Sequence, residues 1–133
     1  MTRLLPSGLL LASLTLPGCG DGDRDLPRAY RRLEVPADVL QSARAQASGR
    51  TLFLEHCALC HGERGDGHGR RTEGLTRAPR DFTNADWRRS TSPRRVFFAI
   101  REGIAGTPMP AWKSLNEQDA WEMTAYVLSL GRE

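Results

Sequence analysis

Cysteine is scarce in this chain of 133 residues, and its three copies, Cys19, Cys57 and Cys60, are not spaced to staple distant segments together. That excludes the disulfide scaffold on which many small secreted domains rely. Beyond the N-terminal stretch no apolar run approaches the length of a membrane-spanning helix, so a membrane bundle is excluded as well. No segment alternates apolar and polar residues as a half-buried strand would, and there is no internal repeat. Neither sign of charge is in large excess: 19 basic residues face 16 acidic ones, a formal net charge of +3. Nucleic acid is not a credible partner for so weak a charge. What remains is one small helical domain with 39% hydrophobic residues. A core of this size is marginal alone, and a buried cofactor is the expected remedy.

Residues 1–18 read as an export signal, with Met1-Thr2-Arg3 as a short positive start and Leu9 to Leu16 as the apolar stretch. The stretch closes on Leu16-Pro17-Gly18-Cys19, which resembles the bacterial lipobox. The resemblance implies cleavage before Cys19 and lipidation of its sulfur, which would place the protein on the periplasmic side of a bacterial membrane. The alternative is an ordinary secretory signal and a soluble periplasmic protein. Residues 19–35 are polar, broken by Gly and Pro, and aperiodic, which predicts a flexible tether. A coil of that length spans roughly 20–25 Å. The domain proper is expected over residues 36–133.

Within it, Asp38 to His56 holds good helix formers around Gly49, which marks either a break or a close approach. Residues 62–91 hold Gly65-Asp66-Gly67 and Pro79 and show no helical pattern, so a long loop is expected, wrapped around something. Ser92-Pro93 caps and opens the next helix, with Val96, Phe97 and Ile100 on one face and Gly103 as its stop. A second loop, 104–115, contains Pro108-Met109-Pro110. The last helix runs from about Glu117 to Leu130 behind an Asn116 cap, with an apolar stripe through Ala120, Met123, Val127 and Leu130.

Cys57-Ala58-Leu59-Cys60-His61 is the central signal. Two cysteines at this spacing match the two vinyl-derived carbons of haem c, and the following histidine presents its imidazole to the iron. A redox dithiol would require a preceding strand in a βαβ setting, which is absent. A structural zinc site would require two further ligands, and Cys19, His56 and His68 are poorly placed to supply them. A second axial ligand could come from Met109, His68 or His56. Met109 is favoured, because Pro108 and Pro110 stiffen the loop that presents it and a thioether suits low-spin iron.

With these motifs assembled, the chain resembles a class I bacterial cytochrome c over about residues 46–131. The resemblance is carried by Gly49 and Phe53 ahead of Cys57–His61, by Arg101-Glu102-Gly103-Ile104 and by Gly106 to Trp112. Leu115 to Asp119 and Ala125-Tyr126-Val127 complete it. The Gly-Asp-Gly loop and Ala78-Pro79-Arg80-Asp81-Phe82 are similar to small haem domains of respiratory oxidase complexes. The resemblance implies an all-α fold in which three main helices wrap around one covalent haem c. It also implies that the first and last helices cross closely, bringing Gly49 and Phe53 against Met123 and Tyr126. A proline carbonyl commonly accepts from the proximal histidine in such proteins, and Pro79 is the candidate.

Single-electron transfer, with His61 and Met109 as axial ligands, is the function this implies. The protein would be a carrier and not itself an enzyme, exchanging electrons with an oxidase, reductase or dehydrogenase. A haem peroxidase or gas-reactive protein with an open iron position is the alternative. Charge is unevenly spread: residues 64–101 hold ten arginines against four acids, while residues 102–133 are net acidic. Such a dipole can orient a protein towards an acidic partner surface.

Overall fold

The computed structural model describes residues 21–132, and the helices among them are α1 Arg28–Arg31, α2 Ala37–Gln41, α3 Ala43–His56, α4 Ala58–His61, α5 Ala85–Ser90, α6 Pro93–Glu102 and α7 Glu117–Ser129. No strand occurs among the described residues, and none of the helices is long and apolar enough to cross a membrane. The export signal and Cys19 lie outside the described residues.

Helices α6 and α7 start where local chemistry dictates. Ser92 accepts from the Arg95 amide with Pro93 in the first turn, and Asn116 accepts from the Asp119 amide. Gly103, at φ 70°, ends α6 in a conformation that favours glycine. The stretch 38–56 is broken at Ser42, not at Gly49. Ser42 is extended, and its hydroxyl caps α3 by accepting from Ala45 N. Gly49 stays inside an unbroken helix, and its purpose is proximity. A Cβ built there would lie 2.0 Å from the Glu122 carbonyl oxygen and 3.0 Å from Met123 N. The first and last main helices therefore cross backbone to backbone, as the resemblance implies.

Around that crossing Phe53 and Tyr126 meet edge to face at 5.2 Å, and Phe97 stacks on Trp121 at 4.2 Å. Met123, Ala120 and Val127 of α7, Val96 and Ile100 of α6, and Ala58 and Leu115 share this core. Buried Thr124 satisfies its hydroxyl by donating to the Ala120 carbonyl at 2.8 Å. Burying Phe53 and Tyr126 contributes about 1.5–3 kcal/mol each.

Two sequence expectations fail. The tether predicted over residues 19–35 is, from Gly22 onward, part of the folded body. Leu26 is buried, and the Tyr30 ring meets Phe98 edge-on at 4.7 Å while its hydroxyl donates to Glu102 at 2.6 Å. Arg95 binds the Gly22 carbonyl and Asp25, Arg94 donates to the Leu33 carbonyl at 2.8 Å, and Ser92 bonds Asp23. The domain thus begins near Gly22, well before Pro36. The loop predicted over 62–91 also contains α5, capped by Asn84, which accepts from Trp87 N.

Candidate haem site

Cys57 terminates α3, its amide bonded to the Phe53 carbonyl at 2.8 Å, and α4 follows as a single turn. The Cys60 and His61 amides both return to the Cys57 carbonyl, at 3.1 and 2.9 Å. Both thiols and the imidazole are thereby held on one helical turn.

Cys57 Sγ lies 3.6 Å from Met123 Sδ, so the first thiol of the motif packs against the core of α7. Burial, with a smaller contribution from the charge of Cys60, pushes the Cys57 thiol up to about 12. His61 is buried; it stacks on Phe82 at 4.6 Å and stands 6.5 Å from the Phe53 ring centre. Burial pulls its pKa below the ordinary histidine value, against the smaller upward pull of the Arg80 carbonyl. The imidazole is therefore neutral. Its Nδ1 lies 3.1 Å from the Arg80 carbonyl oxygen, which can only accept. The proton is thus on Nδ1, and the Nε2 lone pair is available to a metal.

The sequence expectation named Pro79 for this contact, and the structure corrects it by one residue. The Pro79 carbonyl instead faces Gly67, where a Cβ would lie 2.9 Å from it. The loop after the motif folds back on its carbonyls. Gly67 N donates to His61 O, Gly69 N to Cys60 O and Arg71 N to Leu59 O, at 2.8, 3.0 and 2.9 Å. A side chain on Gly69 would meet the Leu59 carbonyl oxygen at 2.3 Å, so this close return requires glycine.

Met109 is half-buried on a separate loop. Its carbonyl accepts from Ile104 N at 3.2 Å, and its amide donates to Thr107 Oγ1 at 3.2 Å. Trp112, on the same loop, donates its amide to the Ile100 carbonyl and packs its ring 4.9 Å from that of His56. The structure so joins the Met109 loop to the end of α3, next to Cys57. His68 is exposed, its ring bonded to the Asp66 carbonyl at 2.9 Å, while His56 is engaged by Trp112. Sequence reasoning missed the supporting roles of Phe82, Trp112 and the Arg80 carbonyl. Phe82 and Arg80 do lie within the Ala78–Phe82 stretch that carried part of the resemblance.

The donor set fits haem c: two thiols three residues apart, and a neutral imidazole whose tautomer is fixed by a backbone carbonyl. Among the described residues, no three His, Cys, Asp or Glu side chains gather as ligands for a free metal ion.

Comparison with known proteins agrees. The family model described as cytochrome c oxidase, cbb3-type, subunit III matches residues 44–127. The cbb3-type cytochrome c oxidase subunit CcoP of Cereibacter sphaeroides is 39% identical over 94 residues, covering 67% of this chain and 29% of that protein. A thiosulfate dehydrogenase of Stutzerimonas stutzeri is 29% identical over 107 residues, covering 80% of this chain and 33% of that one. The chain thus spans about a third or less of these relatives. Among solved structures, a chain of the Kuenenia stuttgartiensis reducing HAO-like protein complex superposes with a TM-score of 0.63 at 29% identity, covering 74% of this chain and 49% of that one. A c-type cytochrome gives a TM-score of 0.51 at 28% identity, covering 62% of this chain and 95% of its own. An all-helical body, an attachment motif on one turn and a family match across the crossing helices lead to one assignment: the chain belongs to the cbb3-type cytochrome c oxidase subunit III family and is a class I c-type cytochrome domain.

Proposed function

We propose that the chain is a monohaem electron carrier, with haem c bonded through Cys57 and Cys60 and with His61 and Met109 as axial ligands. The observation that carries the reading is His61, whose Nδ1 is tied to the Arg80 carbonyl and whose Nε2 is left free. When bound, haem c supplies reversible one-electron redox chemistry. The chain's own residues do the rest. Phe82 and Phe53 wall the imidazole from water, and Cys57 seats its sulfur against Met123. Gly103 and Thr107 fold the ligand loop back on α6, because a Cβ on Gly103 would lie 2.7 Å from the Met109 carbonyl oxygen. A loop fixed in this way limits reorganisation between oxidation states, which suits a carrier.

The partners in this reading are redox proteins, an oxidase, reductase or dehydrogenase, and the relatives named as oxidase subunits and a thiosulfate dehydrogenase support that class. Lipid on Cys19 would hold the protein on the exported side of a bacterial membrane. Since Gly22 is bonded to Arg95, only about 10 Å of chain would separate that anchor from the folded body.

Redox titration of the holoprotein tests the function, and ferric near-infrared spectroscopy tests the ligands. A single one-electron transition with the weak thioether–iron band is expected. Its absence, with carbon monoxide binding to the untreated ferrous protein, would favour an open iron position. Mass spectrometry of the mature N-terminus decides the lipid.

A further inference from the structure

The loop that presents Met109 is fastened to α6 by backbone and side chain. Trp112 N donates to the Ile100 carbonyl at 2.9 Å, and the Arg101 guanidinium donates to the Leu115 carbonyl. A third fastening comes from Glu102, the last residue of α6, and it has two sides. Lys113 Nζ, on the loop, lies 3.0 Å from Glu102 Oε2. The other oxygen of the same carboxylate, Oε1, accepts from the Tyr30 hydroxyl at 2.6 Å. Tyr30 belongs to α1, in the N-terminal arm of residues 22–33 that packs on α6.

An exposed Lys–Glu pair alone contributes little, because two long side chains must be ordered for one contact. Here the carboxylate is already held. The Tyr30 ring is set edge-on to Phe98 at 4.7 Å and tilted to Phe97 at 6.4 Å, so its hydroxyl approaches Glu102 from a fixed direction. Tyr30 first, and then Lys113, hold the Glu102 carboxyl below its ordinary value, so both oxygens accept throughout the neutral range. A charge-assisted bond to one oxygen thus orients the other towards the loop. The arm's remaining grip on α6 lies elsewhere: Arg95, in the first turn, binds Asp25 and the Gly22 carbonyl. Seven residues of helix separate the two grips, about 10 Å, so either can be cut without touching the other.

We propose that Tyr30 is a positioning residue of the haem site, which acts through Glu102 and Lys113 to hold the Met109 loop closed and so limits how often the thioether leaves the iron. The proposal rests on the Met109 ligation put forward above. Undocking of the arm would then loosen the loop that presents the ligand, and the arm becomes part of the redox site.

Two measurements on the holoprotein test this. Stopped-flow mixing of the ferric protein with imidazole, taken to saturation, reads the rate at which Met109 leaves the iron. Hydrogen exchange at the hydrogen-bonded amides of Ile104 and Trp112 reads opening of the loop without reference to the haem. Tyr30→Phe keeps the ring and removes the bond; it should raise the limiting rate about fivefold and lower protection of both amides by a similar factor, with the thioether–iron band retained. Asp25→Asn, which weakens the arm's other grip, should stay within about twofold of wild type on both measures. In a Lys113→Met background Tyr30→Phe should add less than about twofold, because the route to the loop is already cut. Equal effects of Tyr30→Phe and Asp25→Asn would reduce Tyr30 to general bracing of the arm and overturn the proposal. So would an unchanged rate in Tyr30→Phe, or its full effect in the Lys113→Met background. A wild type without the thioether–iron band would sink the ligand reading, whereas unchanged amide protection in Tyr30→Phe would sink the hold of the arm on the loop.

Discussion

A neutral imidazole has one proton and one lone pair, and the Arg80 carbonyl determines which nitrogen of His61 keeps which. Because the acceptor is backbone, no substitution at position 80 short of a backbone change removes it. The prediction belongs instead to Met109, the proposed second ligand. Met109→His should keep six-coordinate iron but lower the reduction potential on the order of 0.2 V, within the ~0.8 V range that axial ligands span. Met109→Ala should let ferrous protein bind carbon monoxide. Spectroelectrochemistry measures both; an unchanged potential in Met109→His would show that Met109 is not a ligand. Pro79 shows how far a residue could be placed from sequence alone. The loop's return to His61 was legible in the resemblance, but the acceptor is one residue further on. Register in an aperiodic loop depends on contacts such as Pro79 against Gly67, which leave no pattern in the chain.

The crossing of α3 and α7 is where element geometry can be checked most severely. Helix propensity predicts that Gly49→Ala stabilises by up to about 1 kcal/mol. The added methyl would lie 2.0 Å from the Glu122 carbonyl oxygen, and backbone cannot rotate away as a side chain can. Forcing the helices apart should cost about 1–3 kcal/mol net, read as a lower urea midpoint, whereas Ala47→Leu, at an exposed position, should change little. This crossing was readable because a glycine among helix formers carries a cost that only a close neighbour explains. Helix α5 was not readable. Its six residues, Ala-Asp-Trp-Arg-Arg-Ser, are too few to show a period, and its Asn84 cap was hidden among loop residues. The N-terminal arm, residues 22–33 packed against the domain, was missed for a related reason. Leu26 and Tyr30 are scattered apolar residues in a charged segment, and nothing local says that Leu26 is buried or that Tyr30 meets α6.

The arm also makes a pH prediction. Hydrogen bonds from Tyr30 and then Lys113 hold the Glu102 carboxyl below its ordinary value of 4.5, and Arg95 does the same for Asp25 relative to 3.8. Burial, with help from Glu102, pushes Tyr30 up to about 12, so it remains a donor throughout the neutral range. Folded carboxyl values below the unfolded ones mean that these contacts stabilise fully above about pH 4.5. They are lost as pH falls through the depressed folded values. Hydrogen-exchange protection at residues 22–33, taken relative to the intrinsic rate at each pH, should therefore fall below pH 4 while the amides of α3 and α7 remain protected. Simultaneous loss of protection in the arm and the helices would contradict the prediction.

As a whole molecule, the chain concentrates its chemistry on one turn and uses the remaining helices to wall and brace it. Its small core explains why. Met123 packs on Cys57, Phe53 faces His61 and Tyr126 packs on Phe53, so in the reading proposed above the cofactor would extend this interior. Removal of the attachment sulfurs should then cost stability as well as colour. Cys57→Ala or Cys60→Ala is expected to retain haem weakly and to melt at lower temperature, as thermal circular dichroism would show. The most direct test of the whole account is the intact mass of the protein produced with haem-attachment machinery, read beside a haem-stained denaturing gel. One haem per chain should survive denaturation in wild type, and none in the Cys57→Ala/Cys60→Ala double variant. A wild-type mass equal to the bare polypeptide, or a stain that persists in the double variant, would contradict it.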